Sequence, residues 1–469
     1  MNVIARDATF VTTALDALRE RLSGDLVTPE DSQWDEARTA WNLAVDQRPA
    51  AVVIPETVDD ISEVVRYARA NGLRVAGQAT GHNAHPLAEG LENTVLVKTH
   101  RMREVQIDAA ARVARVEAGT LWMDVTHPAG EHGLAPLAGS SPDVGVVGYV
   151  LGGGISWLGR KYGLASNSVI AIEIVNAEGD VIRTSSVENP DLFWALRGGG
   201  GSFGIVTAIE IRLYPVKELY AGWLIFPMQR ADEVLNAWRD WVDHAPDEVS
   251  SVGRLLQVPP LPDIPEPLRG RRLVVVEAAM LMDEAQASKL LKPLRKLGPE
   301  MDTFKTMPAT ELQELHMDPP QPVPGRGDHM LLRDLTRAGI EKIVAVGGVR
   351  STSPLLSIEL RHLGGALGRV EPGSGATGAL DARFAMYAVG MAMDPVMTAA
   401  VSAYLPVLKE ALARYDSGRE YLNFAEHRTD VRRLWPMDTY HRLRQVKGDH
   451  DPLDIFRSNH QIPPTSYGH

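Results

Sequence analysis

Residues 139–154 read Gly139-Ser140-Ser141-Pro142-Asp143-Val144-Gly145-Val146-Val147-Gly148-Tyr149-Val150-Leu151-Gly152-Gly153-Gly154, with six glycines in sixteen positions. Glycine lets a backbone turn at positive φ and come close to a ligand. The stretch therefore reads as a pair of turns whose N–H groups wrap a pyrophosphate or a polar ring edge. It is not a hydrolase loop: Pro142 removes the donor an oxyanion hole after Ser141 would use, and no G-x-S-x-G elbow occurs. Around it, 14 of the 41 glycines fall between positions 139 and 204, more than twice an even share. The last of these, Gly199-Gly200-Gly201-Ser202-Phe203-Gly204, spells G-x-G-x-x-G. A dinucleotide fingerprint needs a strand before it and a helix after it. Here residues 191–196 read as helix and residues 205–209 as strand, which excludes a Rossmann site. No Gly-Lys-Ser/Thr follows any glycine run, so a Walker A loop is excluded too.

Upstream, residues 51–54 read as a strand. Thr57 with Asp60 forms a capping box before the stripe Ile61, Val64, Val65 and Ala68. Asn71-Gly72 stops that helix, and residues 73–76 make a second strand. Downstream, Ile170, Ile172 and Ile174 alternate with Ala171 and Glu173, and Glu178-Gly179-Asp180 turns the chain toward Val181-Ile182. Residues 205–213 form a further strand. A different texture begins near Val216, with strands expected at 223–226, 250–257, 273–279, 355–360 and 383–389. Two proline-rich loops, 259–267 and 319–324, read as lids or rims, the second running into Gly325 and Gly327. A helix over 395–415 closes this region. After Ser417-Gly418 the texture changes again.

The 469 residues carry a net charge of −12 and no cysteine. The acidity argues against nucleic acid or an anionic membrane as partner. The missing cysteine excludes disulfides, zinc–thiolate sites, iron–sulfur clusters and thiol nucleophiles. The first residues have no signal-peptide core, and no apolar run reaches the roughly 18 residues of a membrane span. A soluble, cytoplasmic protein is the expectation.

His82 and His85 stand close together in Gly81-His82-Asn83-Ala84-His85-Pro86. No nearby carboxylate or histidine completes a metal set, and no metal is expected. A neutral imidazole nitrogen held by this loop could instead attack an electrophilic carbon.

The order of these motifs resembles a known family. Strand–helix–strand–Gly-His is followed by the 139–154 stretch, then Arg160-Lys161-Tyr162-Gly163-Leu164-Ala165-Ser166-Asn167, then Asp191-Leu192-Phe193-Trp194-Ala195-Leu196-Arg197-Gly198 and the second glycine run. The tail adds Tyr421-Leu422-Asn423, Tyr440-His441-Arg442-Leu443, Lys447, Asp451-Pro452 and Phe456-Arg457-Ser458-Asn459-His460-Gln461-Ile462-Pro463-Pro464. Together these are similar to the FAD-linked oxidases of the vanillyl-alcohol-oxidase/p-cresol-methylhydroxylase (PCMH) superfamily, in the berberine-bridge-enzyme-like branch.

The resemblance implies an α+β fold: a PCMH-type FAD-binding domain built from both chain ends (1–216 and 418–469), plus an α+β substrate domain (217–417) with an antiparallel sheet. It implies FAD bonded through His82 to the 8α-methyl carbon. Thr80, Gly81 and Asn83 would cradle the pyrophosphate. Gly139, Ser140, Gly145, Gly148 and Gly153 would line the diphosphate, ribityl chain and flavin edge, with Val206 at the adenine side. Asn423 and His460 would close over the flavin from a C-terminal strand and tail. The departures are informative. Where bicovalent members carry a cysteine bonded to flavin C6, this chain has Ser141, so one covalent link is expected. Tyr149 stands where members have a histidine, and Phe424 has lost a phenol. Ser140 replaces an aliphatic residue near the oxygen-reacting carbon, leaving oxidase and dehydrogenase both open.

Flavin oxidation needs a proton acceptor beside the hydride donor. Alternation puts Ser357, Glu359 and Arg361 on one face of a strand, either toward a ligand or as a Glu359–Arg361 pair in solvent. On the next strand Arg383, Ala385 and Tyr387 share a face. Tyr421 alternates with Asn423. Tyr421, Glu359 and Tyr387 are the pool of candidate bases, and Trp435, His329 and His362 read as structural or rim residues. The expected function is an oxidase taking a hydride from an alcohol or amine carbon of a small metabolite, with O2 as acceptor and H2O2 as product. The alternatives are a dehydrogenase or oxidative cyclase of natural-product metabolism on the same fold, or a flavoprotein that only binds. The absent cysteine favours an alkaloid, aromatic or polyketide-like substrate over a carbohydrate. Oligomeric state is not written in the residues.

Overall fold

Thr57 accepts the N–H of Asp60 while the Asp60 carboxylate accepts the N–H of Thr57, and this reciprocal cap opens the helix Val58–Asn71. Gly72, at φ 65°, ends it in the left-handed conformation that glycine adopts without strain. Asp60 also takes the N–H groups of Ser23, Gly24 and Glu56, so one buried carboxylate pins the incoming chain to the helix start. The computed structural model describes residues 15–262 and 264–465. The first fourteen residues, part of the segment read as lacking a signal-peptide core, and Asp263 of the loop 259–267 lie outside the described residues.

Three sheets follow. The first holds β1 (Asp25–Val27), β2 (Ala51–Ile54), β3 (Arg74–Gln78) and β4 (Thr94–Lys98), in the order β1-β2-β4-β3. Its pairs beyond β1 are parallel. The second holds β5 (Val105–Asp108), β6 (Val113–Glu117), β7 (Val169–Val175), β8 (Val181–Ser185) and β9 (Ile205–Arg212), all antiparallel in the order β5-β6-β9-β7-β8. The glycine run at 199–204 links the helix Pro190–Leu196 to β9, the helix-then-strand order that excludes a Rossmann turn.

The third sheet is antiparallel throughout. It contains β10 (Glu218–Pro227), β11 (Val249–Gln257), β12 (Arg272–Met280), β13 (Met301–Asp302), β14 (Lys305–Pro308), β15 (Gly325–Leu332), β16 (Ser357–His362) and β17 (Phe384–Met391). The order is β13-β10-β12-β11-β16-β17-β15, with β14 beside β10. Period-two alternation divides its residues between two faces. Leu255, Ile358, Leu360, Met386 and Ala388 pack under the helices Ala231–Val242, Arg337–Gly347 and Pro395–Leu412. The last helix turns Val401, Leu405, Leu408 and Leu412 to that core and leaves Val396, Met397 and Val407 exposed. The opposite face of the sheet looks toward the first two.

The chain then returns. β18 (Phe456–Arg457) pairs parallel with β3, so both ends of the polypeptide build the first sheet and the fold is α+β. A buried ion pair locks this return: Lys447 Nζ lies 2.5 Å from Asp451 and bonds the carbonyl of Ser202 at 2.7 Å, while Asp451 accepts the N–H groups of Ile455 and Phe456. Buried Arg160 ties the second unit to the third sheet through the carbonyls of Val249 and Leu363.

Edge strand β15 was not anticipated, and one expectation is corrected. The proline-rich loop 319–324 runs directly into β15, which begins at Gly325 and pairs along its length with β17. Tyr421-Leu422-Asn423, read as strand-like, is a 3-10 turn (Leu422–Phe424), because the carbonyl of Tyr421 takes the N–H groups of Phe424 and Ala425.

Candidate active site

A cavity of about 530 Å³ lies between the first two sheets and the open face of the third. Its floor on one side is the 139–154 turn. Thr120 and Trp122 strap that turn in place through Val146 N–H and the carbonyl of Val144. Gly139, Ser140, Ser141, Gly145 and Gly148 border the cavity, and a methyl group added at Gly148 would meet nothing within 4 Å. Backbone rather than side chain therefore faces the ligand space here. Val206 on β9 and Gly200 and Gly201 extend the same wall.

The loop after β3 brings in Thr80, Gly81, His82 and Asn83. The His82 ring stacks on Trp41 with centroids 3.9 Å apart and 18° between planes. Thr80 Oγ1 lies 2.7 Å from His82 Nδ1, and Asp143 Oδ1 lies 3.5 Å from Nε2. Asp143 is itself held by Trp41 Nε1 (2.5 Å) and Ser141 Oγ (2.9 Å). Burial pushes its carboxyl up, but the His82, Trp41 and Ser141 contacts outweigh this and bring it below its usual range. Three neighbours thus fix the imidazole: the Trp41 ring, the Thr80 hydroxyl and the Asp143 carboxylate.

The tail closes the cavity. Asn83 Nδ2 reaches the carbonyls of Leu422 and Ala425, Asn459 bonds back to the carbonyl of Asn83, and His460 Nε2 donates to Ala425. Asn423 Nδ2 donates to the Tyr149 carbonyl and to Tyr421 Oη. Gly153 is a correction: it does not border the cavity. Its φ of 117° turns it behind the wall, where a Cβ would stand 3.2 Å from the Tyr421 ring. Gly154, at φ 80°, lacks room for a side chain because Tyr149 and Ala165 would lie 2.4 and 2.7 Å away.

Residues 49–185 match the model of an FAD binding domain, and residues 420–463 match the model described as berberine and berberine like. By these matches the chain is an FAD-dependent oxidoreductase, similar to the berberine-bridge-enzyme-like proteins. An FAD-linked oxidoreductase of Bacillus subtilis is 28% identical over 95% of this chain and 98% of its own. The (R)-6-hydroxynicotine oxidase of Paenarthrobacter nicotinovorans is 34% identical over 48% of this chain and 50% of its own. The solved structure of BBE-like 1 from Physcomitrella patens superposes with a TM-score of 0.84 at 21% identity, covering 97% of this chain and all of that one.

The cradle fits the FAD of this family on its own chemistry. Asn83 Oδ1, Tyr149 Oη and Arg457 Nε are buried without partners. The first and third belong to residues that border the cavity beside the glycine backbone, as does Tyr149. Orphaned polar atoms at such a wall are costly unless a ligand satisfies them. His82, Gly145, Gly148, Asn423 and His460 are the residues that would hold the cofactor, and burial lowers the pKa of the His460 imidazole.

The opposite wall of this oxidoreductase is charged. Arg254 (β11), Glu277 (β12), His316, Glu359 and Arg361 (β16) form one buried chain. Arg254 Nη2 lies 2.6 Å from Glu277, whose other oxygen is 2.5 Å from His316 Nδ1. His316 Nε2 is 2.6 Å from Glu359, and Glu359 meets Arg361 Nε at 3.0 Å. Burial opposes charge on His316, but Glu277 and Glu359 raise its pKa to about 9. Burial likewise pushes Glu359 up, yet Arg361 and His316 overrule it and hold the carboxyl well below the usual range. The solvent-exposed Glu359–Arg361 reading is thereby corrected: the pair is buried at the cavity. Arg361 also donates to Ser140 Oγ at 3.4 Å, and Ser140 donates to Asp318 at 3.1 Å.

The other candidate bases are placed differently. Tyr421 Oη accepts the N–H of Gly154 (2.8 Å) and Asn423 Nδ2 (3.0 Å), and burial raises its pKa. The Tyr387 hydroxyl donates to Glu426 Oε1, and Gly327 N–H donates to the other oxygen at 2.9 Å. His329 and Trp435 are buried structural groups, the first accepting Tyr421 N–H and the second donating to Gly198. Sequence reading missed Glu426, Asp143, Trp41, Arg254, Glu277 and His316. For Glu277 a signal existed, since it is the single charge between Leu273 and Met280. No spacing rule points to the others, whose partners come from distant parts of the chain.

Proposed function

We propose that this oxidoreductase is an oxidase: it takes a hydride from an alcohol or amine carbon of a small molecule, and O2 is the final acceptor, giving hydrogen peroxide. The reading is carried by one cavity in which the glycine-backed cradle faces a wall carrying buried phenol and carboxylate groups. When bound, FAD supplies the acceptor for the hydride. The chain's part is to orient the donor carbon against it, exclude water and receive the proton that leaves oxygen or nitrogen. The apolar stretch of wall from Leu256, Leu356, Val389 and Phe424 suits an aromatic or aliphatic body. Given the family, a single covalent bond between the His82 imidazole and the flavin is part of the proposal. Its support is the ring's fixed stacking on Trp41, its hold between Thr80 and Asp143 at the cavity wall, and a serine at 141 that spends its proton on Asp143.

The test is anaerobic mixing with (R)-6-hydroxynicotine, which one relative oxidises, and with 4-hydroxybenzyl alcohol, benzylamine and glucose, reading loss of yellow absorbance. At least one compound should bleach the flavin, and air should restore the colour with peroxide formed. A protein that none of them bleaches would sink the oxidase reading. After acid precipitation the colour should stay with the pellet, and leave it in His82→Ala. A second reading, a dehydrogenase, is favoured by the polar Ser140 tied to Asp318 and Arg361 where the family has an aliphatic side chain. Slow reoxidation in stopped-flow with air-saturated buffer would select it.

A further inference from the structure

Three groups of buried ionisable side chains border the cavity, and they differ in what can still accept a proton. Glu359 is pinned between His316 and Arg361, which favour its charged form and make it a weak base. Tyr421 has two donors aimed at its oxygen and no carboxylate behind it. Tyr387 alone combines a phenol on the cavity wall with a carboxylate, Glu426, that takes the phenol's own proton.

This pair is built, not incidental. The backbone N–H of Gly327 on β15 holds Glu426 Oε2 at 2.9 Å. A Cβ at position 327 would stand 2.6 Å from Tyr387 Oη and 2.7 Å from Glu426 Oε1, so the strand has no side chain where the two groups meet. Phe424 packs against the Tyr387 ring at 4.9 Å. The charged groups facing the pair are Arg326 and Asp328 on β15, Glu359 on β16 and Asp318 in the loop before β15. Burial raises the Glu426 carboxyl, which makes it a better proton acceptor than an exposed glutamate.

Resting on the oxidase reading, we propose that Tyr387 is the catalytic residue that takes the substrate's hydroxyl or amine proton, and that Glu426 is its positioning residue and relay. The C–H bond breaks with its electron pair going to the bound FAD. The O–H or N–H proton passes to Tyr387 Oη, and the Tyr387 proton passes to Glu426. The product leaves as a carbonyl or imine. The proton on Glu426 and the hydride together account for the two hydrogens of the peroxide formed from O2.

The experiment uses the yellow holoprotein and whichever of (R)-6-hydroxynicotine or 4-hydroxybenzyl alcohol bleaches it faster. Tyr387→Phe and Glu426→Gln should each slow bleaching by on the order of 10²- to 10⁴-fold, with the resting flavin spectrum kept. In the wild type the rate should rise with pH as Glu426 ionises, at a pH above that of an ordinary carboxylate, and Glu426→Gln should abolish that limb. A purely structural Glu426 would leave the limb in place. Wild-type rates with an unchanged pH profile in either variant would overturn the proposal. A substrate-free arm separates its failure from that of the oxidase reading: the infrared carboxylic-acid band should titrate above the usual range and be missing in Glu426→Gln. Absence of such a band in the wild type also overturns it, whether or not any compound bleaches the flavin.

Discussion

The two walls of the cavity are made in opposite ways. The cradle is contiguous chain, 139–154 with the 80–83 loop, and it offers backbone and small residues to the ligand space. The facing wall is assembled from single side chains on β11, β12, β16 and β17, charged and almost fully enclosed. One wall fails when an atom is added, the other when a charge is removed. Away from Gly148, which faces open cavity, the backbone turn is close-packed and has no slack for a methyl group, whereas a paired charge in a low-dielectric interior leaves its partner stranded once it is lost.

The sharpest way to break that contrast is at Glu277. Glu277→Ala strands Arg254 and takes away one of the two carboxylates on His316, and denaturation of the holoprotein should show a loss of about 3–5 kcal/mol. A neutral result would mean that the facing wall tolerates charge removal. Next comes Gly154→Ala, which combines a left-handed φ with overlap on Tyr149 and Ala165. It should cost about 1–3 kcal/mol and lower the flavin content of the purified protein; full flavin occupancy would remove the claim that the cradle has no room.

His316 sharpens the contrast through pH. Its folded pKa, about 9, lies above that of an unfolded histidine. Its contribution is therefore complete below about pH 6.5 and lost as pH rises through the folded value. Stability should decline over that alkaline window in the wild type, and the decline should flatten in His316→Asn. The smallest effect is expected for Ser141→Ala, which deletes one hydrogen bond to Asp143. A change of about 1 kcal/mol or less, with yellow colour retained, would confirm that side chains matter little on the cradle.

Legibility followed the same divide. The Thr57–Asp60 box, the helix Val58–Asn71, the β7–β8 turn and the helix-then-strand order around 199–204 are local, so periodicity and turn chemistry reveal them. The cradle residues were legible because glycine is costly unless its backbone is used. Gly153 was misplaced because composition cannot tell a glycine facing a ligand from one yielding space to an aromatic ring. β15 was hidden because glycines 325 and 327 mimic a loop; Gly327 is small on account of Tyr387 and Glu426, which come from elsewhere in the chain. Glu359 and Arg361 were rightly put on one face, but their burial depends on His316 and Ser140, which alternation cannot supply.

The order of residues by itself determined the α+β character, the glycine cradle, the two imidazoles of the 81–86 loop and the absence of any thiol. These follow from backbone freedom, side-chain period and composition, all of which act over a few neighbours. Only the tertiary structure decided which carboxylate stays ionised, which phenol has an acceptor behind it, and which glycine faces the cavity. Proton affinity depends on burial and on charges within a few ångströms, and tertiary packing brings those together from residues 23 to 221 positions apart.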